Sequence, residues 1–116
     1  MTLESTLKVA LLLDAPRLLP NLRLFQRNVG AARFKSRVVK FAVAGQADLY
    51  GYWRGGRSLE IELKAAKGVM SPEQLGWEAW CHAWSVPHIV LRELAGETGE
   101  STVKRWCAEL QAFESP

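Results

Sequence analysis

The spacing of apolar residues along the chain switches between a helical and a strand period, and it predicts seven elements. Pro16 is expected to end the first helix near Asp14, and the stretch 15–37 to be irregular because Pro16 and Pro20 interrupt it. In chain order, the predicted elements are a helix over 3–14, strands over 38–43, 47–53 and 59–64, a helix over 71–84, a strand over 87–92 and a helix over 101–112. The order α-β-β-β-α-β-α predicts an α/β fold in which helices flank one mixed β-sheet.

The third predicted strand has one polar face, formed by Glu60, Glu62 and Lys64. Such a face is often only solvated. A central strand of a mixed sheet, however, is covered on both sides, and burying these charges costs several kcal/mol unless something binds them. The Gly55-Gly56 turn folds the second strand back along the third and brings Asp48 near Leu63. Asp48 and Glu62 are therefore expected to be close neighbours.

Two carboxylates at short range repel each other unless one is protonated or a cation lies between them. Oxygen ligands of this kind suit a hard divalent ion, above all Mg²⁺. The alternative for Asp48 is a structural acid of the hairpin. The alternative for Glu60 is an exposed or supporting carboxylate, and we favour that role for it over metal binding.

Length and composition limit the classes of protein to which the chain can belong. It has 116 residues, of which 48% are hydrophobic and 23% charged. These values favour a single globular domain over 1–116, and they exclude disordered, disulfide-framework and membrane-spanning classes. The N-terminus does not have the pattern of a signal peptide, and Cys81 and Cys107 are expected to be reduced, buried thiols. We therefore expect a cytoplasmic protein.

The net charge of +3 hides a basic block in the first half of the chain. No acidic residue occurs from position 15 to 47, and the rest of the chain carries eight basic and twelve acidic residues. The seven basic residues of the block are Arg17, Arg23, Arg27, Arg33, Lys35, Arg37 and Lys40. A block of this kind is typical of proteins that contact a polyanion, although a solvated loop is the alternative. Acidic residues beside a basic surface suit a metal ion held against a phosphate.

The order and spacing of these residues resemble a known family. Gly45-Gln46-Ala47-Asp48, then Glu62-Leu63-Lys64, then Gln74 after Ser71-Pro72, is similar to the PD-(D/E)XK (restriction-endonuclease-like) nuclease superfamily. Within it, the chain most resembles the VRR-NUC family in its small stand-alone form from phages and bacteria. Arg27-Asn28 with Gly30 adds to the resemblance, which covers about residues 23–93. Ala47 stands where the family pattern usually has proline.

The resemblance implies a role for each matching residue. Asp48, Glu62 and the backbone carbonyl of Leu63 would bind Mg²⁺ or Mn²⁺, and Lys64 would position or activate the attacking water. Gln74 would support the site from its helix, with helix capping as the other reading. The family also carries an acid on the first helix, for which Glu4 is the candidate and Asp14 the alternative.

The resemblance further implies a metal-dependent endodeoxyribonuclease, a hydrolase acting on phosphodiester bonds, that works as a homodimer on branched DNA such as four-way (Holliday) junctions in a bacterial or phage-infected cell. A non-catalytic DNA-binding or recruitment module and a metal-dependent RNase are the alternatives. The sequence leaves open whether Trp53 touches DNA or a second subunit, and the tryptophans of the last two helices are expected to lie in the core. The predicted DNA-binding residues are Arg23, Arg27, Arg33, Lys35, Arg37 and Lys67.

Overall fold

The computed structural model of the protein describes residues 3–27, 31–34, 37–40 and 43–114, with side chains described for 5–27 and 43–114. Within these ranges, no helix is both long enough and apolar enough to cross a bilayer. The elements are α1 (Leu3–Leu18), β1 (Leu22–Gln26), β2 (Ala31–Phe34), β3 (Arg37–Lys40), β4 (Leu49–Trp53), β5 (Ser58–Lys64), α2 (Pro72–Ala83), β6 (His88–Arg92) and α3 (Gly99–Gln111).

Four strands form the main sheet in the order β1-β4-β5-β6. The β1–β4 and β4–β5 pairs are antiparallel, and β5 pairs with β6 in parallel. A parallel pair needs a crossover connection, and α2 provides it. The predicted α/β fold with a mixed sheet and flanking helices is therefore confirmed. The elements that build this sheet follow the predicted order α-β-β-β-α-β-α, although its first strand is a different one.

The first strand of the main sheet is β1, which lies in the stretch that was predicted to be irregular. Leu22 and Leu24 alternate with Arg23, and this short period-two signal was outweighed by the two neighbouring prolines. The predicted strand over 38–43 is only partly present, as β3. It pairs with β2 in a separate two-stranded sheet, and residues 41–42 lie outside the described residues.

The first helix continues one turn beyond its predicted end and contains Pro16. A proline removes one backbone donor and normally ends a helix. Here the last turn is held by burial, because Ala15 and Leu19 belong to the core and Leu19 donates its N–H to the carbonyl of Ala15 at 2.7 Å. Tertiary packing therefore overrides the local signal of the proline.

The apolar core lies between the sheet and the pair α1 and α3. Leu59, Ile61 and Leu63 of β5 face this side, together with Trp106 of α3. Trp53 is also buried here, 3% exposed, which favours a core role over the contact with DNA or a second subunit that the sequence left open. The predicted core role of the tryptophans holds for Trp106 but fails on α2, where Trp80 and Trp84 are exposed.

The opposite face of the sheet is covered by α2, which begins as predicted. Ser71 caps the helix by accepting a hydrogen bond from the N–H of Gln74, while the Ser71 N–H donates to the Gln74 side chain. Helix α2 lies over the polar face of β5, so this strand is buried on both sides. The buried thiols are also confirmed: Cys81 and Cys107 are free and buried, and burial raises the pKa of Cys81 to about 11.

Candidate metal and nucleic-acid site

The pairing of β4 with β5 places Asp48 opposite Glu62. Leu49 pairs with Ile61, so the residues one step further along lie opposite each other and point to the same side of the sheet. The Asp48 carboxylate accepts a hydrogen bond from the backbone N–H of Leu63 at 3.0 Å. The structure thus brings together the aspartate, the glutamate and the backbone at position 63 that the sequence analysis singled out.

Glu62 lies beneath the start of α2 and is 2% exposed. Its Oε1 accepts a hydrogen bond from the Gln74 side-chain amide at 2.9 Å, and the Gln74 Oε1 accepts one from the Ser71 N–H at 2.9 Å. Gln74 therefore caps the helix and also hydrogen-bonds Glu62, while its support of a metal site stays a prediction. The positive end of the helix dipole also lies on this side and favours the carboxylate.

Glu60 lies two residues before Glu62 and is held by a different set of partners. Its carboxylate forms a two-pronged ion pair with Arg27, at 2.6 and 2.9 Å, and accepts a hydrogen bond from the Trp77 indole at 3.0 Å. The guanidinium also donates to the carbonyl of Ala47 at 3.1 Å and lies 4.8 Å from the ring centre of Tyr50. Glu60 is a buried supporting carboxylate, which excludes the exposed alternative.

These contacts change the role of Arg27. The hydrogen bonds to Glu60 raise the pKa of the guanidinium, against the opposing effect of burial. The side chain is 16% exposed, and two of its nitrogens are used by Glu60. This cation neutralises a buried carboxylate inside the protein, so its pairing with Glu60 argues against the predicted role of Arg27 in DNA binding.

Lys64 is the last residue of β5 and follows Glu62 on the same face of the strand. Its ammonium donates to the backbone carbonyl of Val69 at 3.3 Å, in the loop that leads to α2. Lys64 is half-buried, and the loop residue Gly68 lies against its aliphatic stem. The ammonium group is thus tethered to this loop by a neutral partner.

The remaining predicted site residues are those whose side chains the structure describes and those whose side chains it does not describe. Arg23 and Lys67 are exposed, and Asp14 forms an ion pair with Arg17 at 3.2 Å on α1, on the other side of the sheet from Glu62. The structure does not bring Asp14 to the site. Four predicted side chains lie outside the described ones, namely Glu4, Arg33, Lys35 and Arg37.

The donor set fits a hard divalent ion with few protein ligands. Across the described part of the chain, no group of three or more His, Cys, Asp or Glu side chains converges on one point. The protein would therefore offer two carboxylates, Asp48 and Glu62, and the carbonyl of Leu63. Mg²⁺ commonly binds through one or two carboxylates while it keeps several waters, so these residues fit such an ion.

Two features of the site were not predicted. One is the Arg27–Glu60–Trp77 cluster, for which the sequence gives little signal because its members are 33 and 17 residues apart. The other is Gly45, whose φ is +87° and where a Cβ atom would lie 2.2 Å from the carbonyl oxygen of Glu73. The motif glycine is therefore the point at which the loop before β4 touches the backbone of α2.

Comparisons with known proteins add no identity to this geometry. No protein-family model matches the chain, and no curated protein is significantly similar to it in sequence. The resemblance to VRR-NUC nucleases therefore stays a prediction, drawn from the motif residues alone.

Proposed function

We propose that this chain is a metal-dependent DNA endonuclease with a PD-(D/E)XK core of the VRR-NUC type, which hydrolyses phosphodiester bonds. The observation that carries the proposal is the position of Asp48 opposite Glu62, with Gln74 hydrogen-bonded to the glutamate. A buried glutamate anchored by an amide, next to a second carboxylate, is a costly arrangement for structure alone. It is a useful one for binding a cation.

Each residue has a role that follows from its contacts. Asp48 and Glu62 would hold Mg²⁺ or Mn²⁺ together with the Leu63 carbonyl, and the bound ion would stabilise the charge that develops on the phosphodiester. Gln74 fixes the rotamer of Glu62 by binding its Oε1. Lys64, tethered to the Val69 carbonyl, would orient a water for attack and donate hydrogen bonds to a phosphate oxygen.

The basic residues of the first half of the chain would hold the DNA backbone without reading its sequence. Arg23 and Lys67 are exposed and are retained in this role, together with the predicted Arg33, Lys35 and Arg37. Arg27 is left out of this proposed DNA-binding set because its guanidinium forms an ion pair with Glu60. A polyanionic substrate is consistent with the absence of acidic residues between positions 15 and 47.

We also propose a homodimer acting on branched DNA. The described part of one chain offers one candidate pair of metal-binding carboxylates, Asp48 and Glu62, and symmetric cleavage of two strands needs two sites. Light scattering coupled to size exclusion would give the mass of the protein in solution, and a mass of one chain at working concentration would exclude the dimer.

Cleavage of DNA in the presence of Mg²⁺ or Mn²⁺ is the direct test. Supercoiled plasmid and a four-way junction would be incubated with the wild-type protein, Asp48→Asn, Glu62→Gln and Lys64→Met. We expect each substitution to reduce the rate by about a hundredfold or more, because several kcal/mol of transition-state stabilisation are lost. Glu100→Gln is the matched control, since it removes an exposed carboxylate on α3 and should leave the rate unchanged.

The same assay separates the alternatives. Cleavage of RNA but not of DNA would support a ribonuclease and contradict the DNA specificity. Tight DNA binding with no cleavage under any metal would support a non-catalytic module. Equal rates for the wild type and Asp48→Asn would end the catalytic proposal.

A further inference from the structure

An exposed aromatic cluster lies on the site's face of the sheet, on β1 and β4. It consists of Phe25, Tyr50 and Tyr52, here called the aromatic platform. Phe25 pairs with Tyr50 across the β1–β4 ladder, and their rings stack at 5.4 Å. The Tyr52 ring lies 6.3 Å from Phe25 and 6.2 Å from Tyr50. Phe25 and Tyr52 are 44% and 48% exposed, although large aromatic side chains are usually covered.

Three exposed arginines lie at the outer ends of β1, β4 and β5. Arg23 lies opposite Tyr52 in the ladder, and Arg54 and Arg57 form the ends of the β4–β5 turn. Arg23, Arg54 and Phe25, with Tyr52, line a shallow cavity of about 310 Å³. The platform therefore has cationic groups at its border.

The partners of these arginines are neutral. Arg23 donates to the carbonyl of Leu22 at 2.9 Å, Arg54 to the side chain of Asn21 at 3.1 Å, and Arg57 to the carbonyl of Phe113 at 3.1 Å. Glu114 lines a neighbouring cavity with Arg54 and Arg57 and accepts a hydrogen bond from Asn21. Among the described side chains, no carboxylate lies within ion-pair distance of these three arginines, so their charge is available to a ligand.

We propose that the aromatic platform binds unpaired nucleotides of DNA, with bases stacked on Phe25 and Tyr52 and phosphates on Arg23 and Arg54. Stacking surfaces bordered by cations are the usual means by which proteins bind single strands without sequence preference. The inference rests on the proposed function for the identity of the nucleic acid as DNA. It adds the substrate class: DNA that presents unpaired bases beside the site of cleavage.

The second exposed aromatic surface does not have this character. Trp80 of α2 and Trp84 at the C-terminal cap of this helix stack on each other at 5.4 Å, but the helix has no arginine or lysine. Glu73 and Glu78 are on the same helix, so a polyanion is not favoured there. Charge therefore selects the platform on β1 and β4 as the surface for nucleic acid.

The register gives the distance from the platform to the candidate metal ligands. Phe25 pairs with Tyr50, two residues from Asp48, and Tyr52 is four residues from it. At a rise of about 3.4 Å per residue, these separations are about 7 and 14 Å. One strand of B-form DNA advances about 3.4 Å per nucleotide. The unpaired bases are therefore placed about two to four nucleotides from the phosphate that is cut.

Binding without cleavage tests the platform directly. The affinity for a fluorescent poly-dT oligonucleotide would be measured by anisotropy in EDTA for the wild-type protein, Phe25→Ser and Tyr52→Ser. We expect each substitution to weaken binding by about tenfold, as loss of one stacking partner does. Replacement of both Arg23 and Arg54 by Gln should reduce the slope of log K against log salt by about 1.4.

Matched variants separate stacking from general effects. Phe25→Tyr keeps the ring and should bind like the wild type. Trp84→Ser removes an exposed aromatic side chain at the C-terminal cap of α2, and Lys104→Gln an exposed lysine on α3; both should leave the affinity unchanged. Equal affinities for the wild type, Phe25→Ser and Tyr52→Ser would overturn the inference, once thermal melting shows that the variants are folded.

Cleavage mapping on a duplex with a single-stranded arm then distinguishes the two proposals. Cuts about two to four nucleotides from the branch, lost in Phe25→Ser, would support both. Cuts at identical positions in the wild type and Phe25→Ser would support the nuclease proposal and contradict the inference that the platform binds unpaired bases. Platform-dependent binding without any cleavage would support the platform and contradict the nuclease. A loss of dimer in Tyr52→Ser with unchanged poly-dT affinity would assign the surface to subunit contact and overturn the inference.

Discussion

At the scale of single residues, the most informative side chain is the buried carboxylate of Glu60. It lies on a central strand, 7% exposed, where an ionised group is stable only with a counterion and hydrogen bonds. Arg27 provides the charge and Trp77 a further donor. The arginine reaches Glu60 from the end of β1, across β4, so one ion pair links three strands.

Removal of the arginine should strongly destabilise the fold. Arg27→Met leaves Glu60 buried without its counterion, and we expect a loss of about 3–5 kcal/mol in the free energy of unfolding. The double variant with Glu60→Met should recover much of this loss. Urea denaturation measures both, and Arg17→Met is the control, because its exposed ion pair is worth about 1 kcal/mol at most. A loss below 1 kcal/mol for Arg27→Met would contradict the role assigned to the pair.

His88 predicts a pH dependence of stability. Its side chain is 1% exposed, and burial lowers its pKa, while Glu78, 3.6 Å from Nδ1, and Glu60 oppose this shift and His82 adds to it. The unfolded chain takes up the proton at a higher pH than the folded protein. The stability that the neutral, buried imidazole contributes is therefore complete above about pH 6.5 and is lost as the pH falls.

The measurement is the urea midpoint between pH 7.5 and 5.5. We expect the wild type to lose stability over this range and His88→Gln to lose less of it. His82→Gln removes an exposed histidine on α2 that adds to this shift, so its loss should lie between those of the wild type and His88→Gln. Equal pH dependence in the wild type and His88→Gln would show that the buried imidazole does not contribute.

At the scale of elements, the contact between Gly45 and α2 aligns the loop before β4 with the helix that carries Gln74. An alanine there would place its Cβ against the Glu73 carbonyl and would also be strained by the positive φ. We expect Gly45→Ala to cost about 2 kcal/mol or more. It should also reduce DNA cleavage, because the start of α2 must move.

The β4–β5 turn offers a matched control for this prediction. Gly55 has a φ of +101°, but its Cβ position has no atom within 4 Å. Gly55→Ala therefore carries the backbone strain without the steric contact. Thermal melts would compare the two variants. Equal decreases in melting temperature for Gly45→Ala and Gly55→Ala would show that the contact with α2 is unimportant.

The elements also show what the sequence could and could not predict. β5 and α2 were predicted well, because strict alternation and a Ser-Pro-x-Gln cap are strong local signals. β1 was missed and α1 was predicted too short, since both depend on burial that outweighs Pro16 and Pro20. For the candidate site, the strand register expected from the Gly55-Gly56 turn was enough to predict that Asp48 lies near Glu62. The Arg27–Glu60 pair could not be predicted, because it joins strands that are not neighbours in the sheet.

At the scale of the whole molecule, the distribution of charge predicts how DNA binding depends on salt. With about five phosphate contacts after the exclusion of Arg27, affinity for duplex DNA should fall roughly 500-fold between about 50 and 200 mM salt. Lys67→Gln should reduce the slope by about 0.9, whereas Lys104→Gln, on α3, should not change it. Anisotropy titrations in EDTA measure the slopes, and a flat response would show that the basic block does not face nucleic acid.

The link between Arg27 and Glu60 has a consequence for how this sequence can evolve. Neither residue is useful inside the protein without the other, and the Trp77 indole donates to the same carboxylate. A lineage that loses one member should soon replace the others, through intermediates of low fitness. The three positions are therefore expected to vary together among descendants of this gene, even where the surrounding surface diverges freely.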